Sequence, residues 1–410
     1  MNSEQSKLSI SPGKFKSVIE LPFSKSYANR ALAIACVTKG LFVIKNIATS
    51  SDVEAMIQSL RQIGLIIEKN DNAINIKNSF PECEKISSKI IKIKTGDGGT
   101  TNRILLGILS LGKNTYELIS SEKFKDRPNQ EAFNVLEVLG VDFKKPSETD
   151  DFWIQLKGPV TKIKNLDVDC KDTTQFYTGF KCLELVHELK VTPKNLKTSV
   201  KYVEITDYLI DLVKDGGTEI QIPIDFSSAS YPIVFGSIKN EILIKNCKVI
   251  DSLQADSCII ELINSIGGDV SISKDGLVVN ASLLRPFVHD CSGCPDLVPS
   301  LVFLGLNIDG RSRLKNISIL RHKESDRIEE ILKIIKRIGG NCLYNEDLDE
   351  LIVEGKLENN ESVDFDLPAD HRMIILASMI LRAGKSVGTI NNSSHVKKSY
   401  SEFFTHLLGE

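Results

Sequence analysis

Arg321, His322, Lys323, Glu324, Asp326 and Arg327 fall within seven residues. Paired cations of this kind suit a phosphate or carboxylate. Glu324 is the odd member. It balances the cations, or it moves a proton, with burial and the cations shifting its pKa in opposite directions. Ile328, Ile331, Leu332, Ile335 and Ile338 follow at helical spacing, and Gly339-Gly340 supply a stop. The spacing predicts Lys323 and Arg327 on one face of a first helical turn, beside free N–H groups and the positive end of the dipole. By itself such a cluster also describes a solvated cap, so the number of similar clusters matters.

There are several. LPFSKSYANRALAIACVTKG holds Ser24, Lys25, Ser26, Asn29 and Arg30 at the head of an apolar helix. TGDGGTTNRILLGILS is a glycine-rich turn, with Asp97, Gly98, Gly99 and Thr100, entering another. Glycines let backbone N–H groups approach a ligand, but the Gly-Lys-Ser/Thr ending of a nucleotide-binding P-loop is missing. Arg127 precedes Pro128 at a further helix entrance, and Thr173, Thr174 and Gln175 stand at another. SVKYVEIT offers Ser199 and Tyr202. CPDLVPSLVFLG brings Asp296, DHRMIILASMILRAG brings His371 and Arg372, and HVKKSYSEFF brings Lys397 and Lys398.

The elements that must hold these groups form a repeat. Helix-like apolar patterns end in glycine at Gly64, Gly140, Gly216, Gly267, Gly339 and Gly409, in steps of 76, 76, 51, 72 and 70 residues. Strand-like runs follow most of them: LIIEK, VDFKK, TEIQIPI, DVSIS and NCLYN. A helix, a glycine C-cap and a strand repeating near 70 residues predict six α/β subunits, three per domain. DFSSASYPIVFGSI reads as a buried helix, and a domain crossover is expected near Val249–Asp251. Anion-seeking groups at the helix entrances then predict an interdomain cleft on which helix N-termini converge.

Composition limits the classes. The chain has 410 residues, 41% hydrophobic and 26% charged, with a formal net charge of −3, so no global positive field advertises nucleic acid. The polar start MNSEQSKLSISPGKF lacks an apolar signal core, and no apolar run is long enough to span a membrane. A soluble, cytoplasmic, monomeric protein is expected. Nine scattered cysteines suggest free thiols. Cys291-Ser-Gly-Cys294 is a lone CxxC with His289 nearby. It lacks a second pair, so no metal is expected there.

In order along the chain, SKSYANRA, GDGGTTNR, KDRP, TTQF, SVKYVEIT, DFSSASY, QAD, PDLVPSL, LRHKESDR, DHRM and KKSY resemble the motifs of the enolpyruvyl transferase family, in the branch that uses shikimate 3-phosphate. KESDR and DHRM are the most specific. The resemblance implies two similar domains, each of three βαβαββ subunits. Residues 1–23 with 251–410 would form a discontinuous domain, and 24–250 an inserted one. It also implies addition of the 5-hydroxyl of shikimate 3-phosphate to phosphoenolpyruvate, followed by loss of phosphate, with no cofactor and no metal.

Roles follow by resemblance. Lys25, Asp296 and Glu324 take the acid–base positions. Lys25, Ser26, Arg30, Thr173, Thr174, Gln175, Ser199, Tyr202, Asp296 and Lys323 resemble the shikimate 3-phosphate ligands. Lys25, Asp97, Gly99, Arg127, Gln175, Arg327, Arg372 and Lys398 resemble those of phosphoenolpyruvate. The chain departs from the family at Phe23, where glycine is usual, at Thr173-Thr174 for a serine pair, at Asp97 for asparagine, and at Ile319 for asparagine. The alternatives are the sister enzyme using UDP-N-acetylglucosamine and a non-catalytic anion-binding protein of the same fold. The KSxxNR entrance and KESDR favour shikimate 3-phosphate over the sugar, and Lys25, Asp296 and Glu324 together argue against a non-catalytic role.

Overall fold

Six helices are apolar around most of their circumference, which makes them core elements rather than surface ones. They are distributed equally between two units of a computed structural model that describes residues 7–47, 50–161, 165–355 and 362–409. One unit is Phe23–Pro223 and the other is Met1–Pro22 with Ile224–Glu410. The opening residues 1–6 of the polar N-terminal stretch lie outside the described residues.

The Phe23–Pro223 unit contains α1 (Lys25–Val37), α2 (Ser51–Gln62), α3 (Gly99–Leu109), the single turn α4 (Glu122–Lys125), α5 (Gln130–Leu139), α6 (Gln175–Lys181) and α7 (Val200–Lys214). α1, α3 and α6 are the inner helices, and α1 and α6 both pack on α3. α3 and α6 approach so closely that a Cβ on Gly107 would lie 2.0 Å from the carbonyl oxygen of Gly179. α2, α5 and α7 bury one face each. Ile91–Lys94, Thr115–Ile119, Phe152–Lys157 and Asp142–Lys144 form a sheet, the first pair parallel and the others antiparallel. With α3 and α5 this is one contiguous βαβαββ subunit.

The other unit repeats the scheme with α8 (Phe226–Ile238), α9 (Cys258–Ser265), α10 (Val298–Leu306), α11 (Arg327–Arg337), α12 (His371–Ala383) and α13 (Phe403–Leu408). α8, α10 and α12 are the inner helices. Val288–Asp290, Arg311–Lys315, Glu350–Glu354 and Asn341–Asn345 form its contiguous βαβαββ sheet. All six repeat glycines have positive φ, from +67° to +106°, the left-handed cap that glycine enters without a Cβ clash.

Three of the remaining subunits are completed by distant strands, whereas the fourth, among the described residues, keeps a two-stranded parallel sheet of Leu166–Asp169 and Val191–Lys194. Glu219–Gln221 pairs parallel with Phe42–Lys45. Val18–Ile19 pairs parallel with Ile242–Ile244, and Leu8–Ile10 antiparallel with Gly388–Ile390. These pairings correct the expected crossover at residue 250. Glu219–Gln221 belongs to a sheet of the Phe23–Pro223 unit, whereas α8 and Ile242–Ile244 already belong to the other. The chain therefore returns at Pro223–Ile224. The 51-residue step between Gly216 and Gly267 has the same cause: one strand stands there in place of a hairpin and a following strand.

Candidate active site

In the Phe23–Pro223 unit, Ser24 caps α1 by accepting the Tyr27 N–H at 3.4 Å. Lys25 follows and donates to Asp52 Oδ2, in the first turn of α2, at 3.0 Å. Arg30 lies one turn farther into α1 and is buried. Its Nη1 donates to the Ser26 carbonyl at 2.9 Å, and its Nε to Thr206 Oγ1 at 3.2 Å and the Tyr202 carbonyl at 3.3 Å. The Tyr202 ring lies 5.0 Å from the guanidinium. Burial pulls the Arg30 pKa down to about 10 against the opposing influence of Tyr202 and Tyr27. The hydrogen-bond partners of Arg30 are all uncharged, so an arriving anion would relieve a desolvated cation. Asn29 is also buried, and neither side-chain atom has a hydrogen-bond partner.

α3 begins at Gly99, with Gly98 as its cap. Gln175, at the head of α6, donates to Thr100 Oγ1 at 2.9 Å and accepts from Arg103 Nη1 at 2.9 Å. Arg103 is held between the Phe124 and Phe176 rings, with centroids at 5.5 and 5.3 Å, which fixes the Gln175 amide. A Cβ on Gly99 would stand 3.0 Å from Arg127 Nη1 and 3.1 Å from Gln175 Oε1, so these three predicted residues meet at one helix entrance. The Arg127 Nε is buried without a partner. Thr173 Oγ1 accepts the Gln175 N–H at 3.2 Å, Thr174 is buried, and Asp97 is exposed. Ser199 sits at the head of α7 with φ +57°, a strained setting for a side-chain-bearing residue.

In the other unit the centre is Arg327, the first residue of α11. Its Nε donates to Asp370 Oδ2 at 2.9 Å, its Nη2 to Glu324 at 2.6 Å and its Nη1 to Asp296 at 3.2 Å. Arg372, the second residue of α12, donates to the Asp296 carbonyl at 3.0 Å and to Tyr231 at 3.3 Å, and pairs with the Asp296 carboxylate at 3.1 Å. Lys398 Nζ lies 3.6 Å from Glu324. The entrances of α10, α11 and α12 thus share one network. Burial pushes the Asp296 carboxyl up, but Arg372, Lys323 and Arg327 outweigh it and hold that carboxyl below the usual range. The carboxylates in turn raise Arg327 and Arg372, despite burial.

One expectation fails here. Lys323 is not on the helix. Ser318–His322 form a 3₁₀ turn, Lys323 is extended, and α11 starts at Arg327 behind the cap Asp326, whose side chain accepts the Glu329 N–H at 3.1 Å. The cap starts the helix four residues later than a first turn at Lys323 requires. Arg321 pairs outward with Asp326 and Glu346, and so supports the loop.

A family model described as EPSP synthase (3-phosphoshikimate 1-carboxyvinyltransferase) matches residues 11–211 and 196–407. The chain belongs to the EPSP synthase family. Among its relatives, the 3-phosphoshikimate 1-carboxyvinyltransferase of Clostridium kluyveri is 28% identical, with 98% of this chain and 97% of that protein covered. The Pyrococcus abyssi protein of the same name is 29% identical over 95% and 93%. The fold is similar to that of the Acinetobacter baumannii EPSP synthase, with TM-score 0.76 at 20% identity over 98% and 97% of the chains. It also resembles the enolpyruvyl transferase NikO of Streptomyces tendae, with TM-score 0.74 at 13% identity over 98% and 97%.

Within this EPSP synthase-family chain, sequence reading missed Asp52, Arg103, Tyr231 and Asp370 as partners of the site. Arg103 and Asp370 stand inside the quoted GDGGTTNR and DHRM-bearing stretches, but attention to anion ligands passed over the groups that hold those ligands. It also missed Cys258, which lies with His289 and Cys294, whereas Cys291 of the CxxC does not join them. No helix among the described residues is long and apolar enough to cross a membrane.

Proposed function

We propose that the chain transfers the enolpyruvyl group of phosphoenolpyruvate to the 5-hydroxyl of shikimate 3-phosphate and releases inorganic phosphate. The observation that carries this reading is the single Arg327 side chain binding Asp296, Glu324 and Asp370, with Arg372 and Lys398 on two of these carboxylates. Carboxylates of two roles and cations for an anionic substrate are then fixed in one place.

In this mechanism the 5-oxygen bonds to C2 of phosphoenolpyruvate while its proton passes to Asp296. A proton from Glu324 or Lys25 goes to C3. The C2–O bond to phosphate then breaks, a proton leaves C3, and the double bond re-forms. Asp296 held below the ordinary carboxylate range is a weak base. Substrate anions that draw on Arg372, Lys323 and Arg327 would raise its basicity when it is needed. Lys25, Ser26, Arg30, Thr173, Thr174, Gln175, Ser199, Tyr202, Asp296 and Lys323 are the assigned ligands of shikimate 3-phosphate. Lys25, Asp97, Gly99, Arg127, Gln175, Arg327, Arg372 and Lys398 are the assigned ligands of phosphoenolpyruvate.

The test is phosphate release by the full chain given phosphoenolpyruvate with either shikimate 3-phosphate or UDP-N-acetylglucosamine. Release with shikimate 3-phosphate alone is expected. Glu324→Gln and Asp296→Asn should keep native circular dichroism and lose about 100-fold or more in kcat. Release only with the sugar nucleotide, or with neither acceptor, would overturn the assignment.

A further inference from the structure

Cys258, His289 and Cys294 come from three separate segments: the head of α9, the strand Val288–Asp290, and the turn before the 3₁₀ segment Pro295–Leu297. Cys258 Sγ is 3.8 Å from Cys294 Sγ and 3.8 Å from His289 Nε2, and His289 Nε2 is 3.3 Å from Cys294 Sγ. Zinc binds thiolate sulfur at about 2.3 Å and imidazole nitrogen at about 2.0–2.1 Å. Tetrahedral angles at those lengths place two sulfurs about 3.8 Å apart and sulfur and nitrogen about 3.5 Å apart. The observed triangle has those edges to within a few tenths of an ångström. Two thiolates and an imidazole are donors that suit zinc.

We propose that Cys258, His289 and Cys294 form a zinc site with three protein ligands and a fourth position open to water. The site is separate from the substrate-binding network but adjoins it. Asp256 lies two residues before Cys258, and Asp296 two residues after Cys294. A bound zinc clasps the segments that bear these two acids and fixes the turn carrying Asp296. Cys291 takes no part: its sulfur donates to the His289 carbonyl at 3.9 Å and does not lie within the group of three ligand atoms. The CxxC spacing is thus a misleading signal, and the true third ligand lies 31 residues before the histidine.

The experiment uses the full chain, purified under reducing conditions, stripped with a chelator and dialysed. Zn(II) is titrated against a chromophoric chelator, and Co(II) is added to a second sample. One equivalent of zinc should bind. Cobalt should give thiolate-to-metal charge transfer in the near ultraviolet and the intense d–d bands of a tetrahedral centre. His289→Ala removes a ligand on a strand near the surface. It should weaken zinc more than the ~10–100-fold that loss of an outer-shell partner costs, with native circular dichroism retained. Cys258→Ser and Cys294→Ser should abolish the charge-transfer band, and Cys291→Ser should leave zinc stoichiometry at one. No stoichiometric binding, zinc affinity unchanged in His289→Ala, or an intact mass lower by two hydrogens and restored by reductant, which marks a Cys258–Cys294 disulfide, would each overturn the proposal. Metal content and spectra read the site directly, so the result stands whatever the turnover assay returns.

Discussion

Arg327 and Asp370 meet in a two-pronged contact, Nε to Oδ2 at 2.9 Å and Nη2 to Oδ1 at 3.4 Å, with side chains 1% and 0% exposed. The residues are 43 apart in sequence, and the contact locks the entrance of α11 to that of α12. Asp370 also caps α12 by accepting the Arg372 N–H at 3.0 Å. Removing its carboxylate leaves a buried cation with less compensation, which costs about 3–5 kcal/mol. Asp370→Ala should lower Tm by roughly 10 °C, and Asp370→Asn, which retains an oxygen for the cap, by less. A thermal melt by circular dichroism showing Asp370→Ala at the wild-type Tm would refute this account of the pair.

Gly107 offers a reversal of sign. In an ordinary helix interior, glycine to alanine gains about 1 kcal/mol. At Gly107 the new Cβ would meet the Gly179 carbonyl oxygen at 2.0 Å, and that oxygen is backbone, so α3 and α6 must separate. Gly107→Ala should destabilise by about 2–3 kcal/mol or more. Gly293→Ala, where nothing lies within 4 Å, should change little. Denaturant midpoints of the two variants decide the matter, and equal midpoints would defeat the packing argument.

Gly99 meets side-chain ends rather than backbone. A Cβ there presses on Arg127 at 3.0 Å and Gln175 at 3.1 Å, both able to shift. Gly99→Ala should therefore fold and turn over, with KM for phosphoenolpyruvate raised a few-fold. Glyphosate, a phosphonate longer than phosphoenolpyruvate, should compete with it at this position and inhibit the wild-type chain. Its inhibition constant should rise more than the substrate KM, because the longer molecule feels the lost space more. Phosphate release at subsaturating phosphoenolpyruvate measures both. A parallel rise in the two constants would count against a steric origin.

Asp256 gives a pH signature. Burial and the nearby Asp296 push its carboxyl up to about 7, against the Ser227 hydroxyl donation and Arg372. Its folded-state pKa exceeds the unfolded value of about 3.9. The native state therefore holds the proton more tightly, and the stability this confers is lost as pH rises from about 4 through about 7. Asp256→Asn, which needs no proton, should gain on the wild type as pH rises. Between pH 5.5 and 8.5 the difference should grow by on the order of 1–2 kcal/mol. Urea melts at the two pH values test it, and a difference that does not change would remove Asp256 from the pH response.

The sequence by itself determined the repeat and where the charged clusters lie along it. Six glycines closing apolar patterns are local signals, since a left-handed cap is a property of one residue and its helix, and all six caps exist. Clusters such as KESDR and DHRM announce themselves by composition, although Arg327 rather than Lys323 begins α11, and Arg372 is the second residue of α12. Only the tertiary structure decided who pairs with whom. Arg327 reads as an anion ligand in isolation, yet three carboxylates reached across up to 43 residues hold it. The return point of the chain at Pro223 depends on Glu219–Gln221 finding Phe42–Lys45, a parallel pairing no local pattern encodes. Cys258 joined His289 and Cys294 for the same reason. Propensity and capping act within a few residues, whereas strand pairing, buried charge and metal geometry depend on contacts made only after the chain has packed.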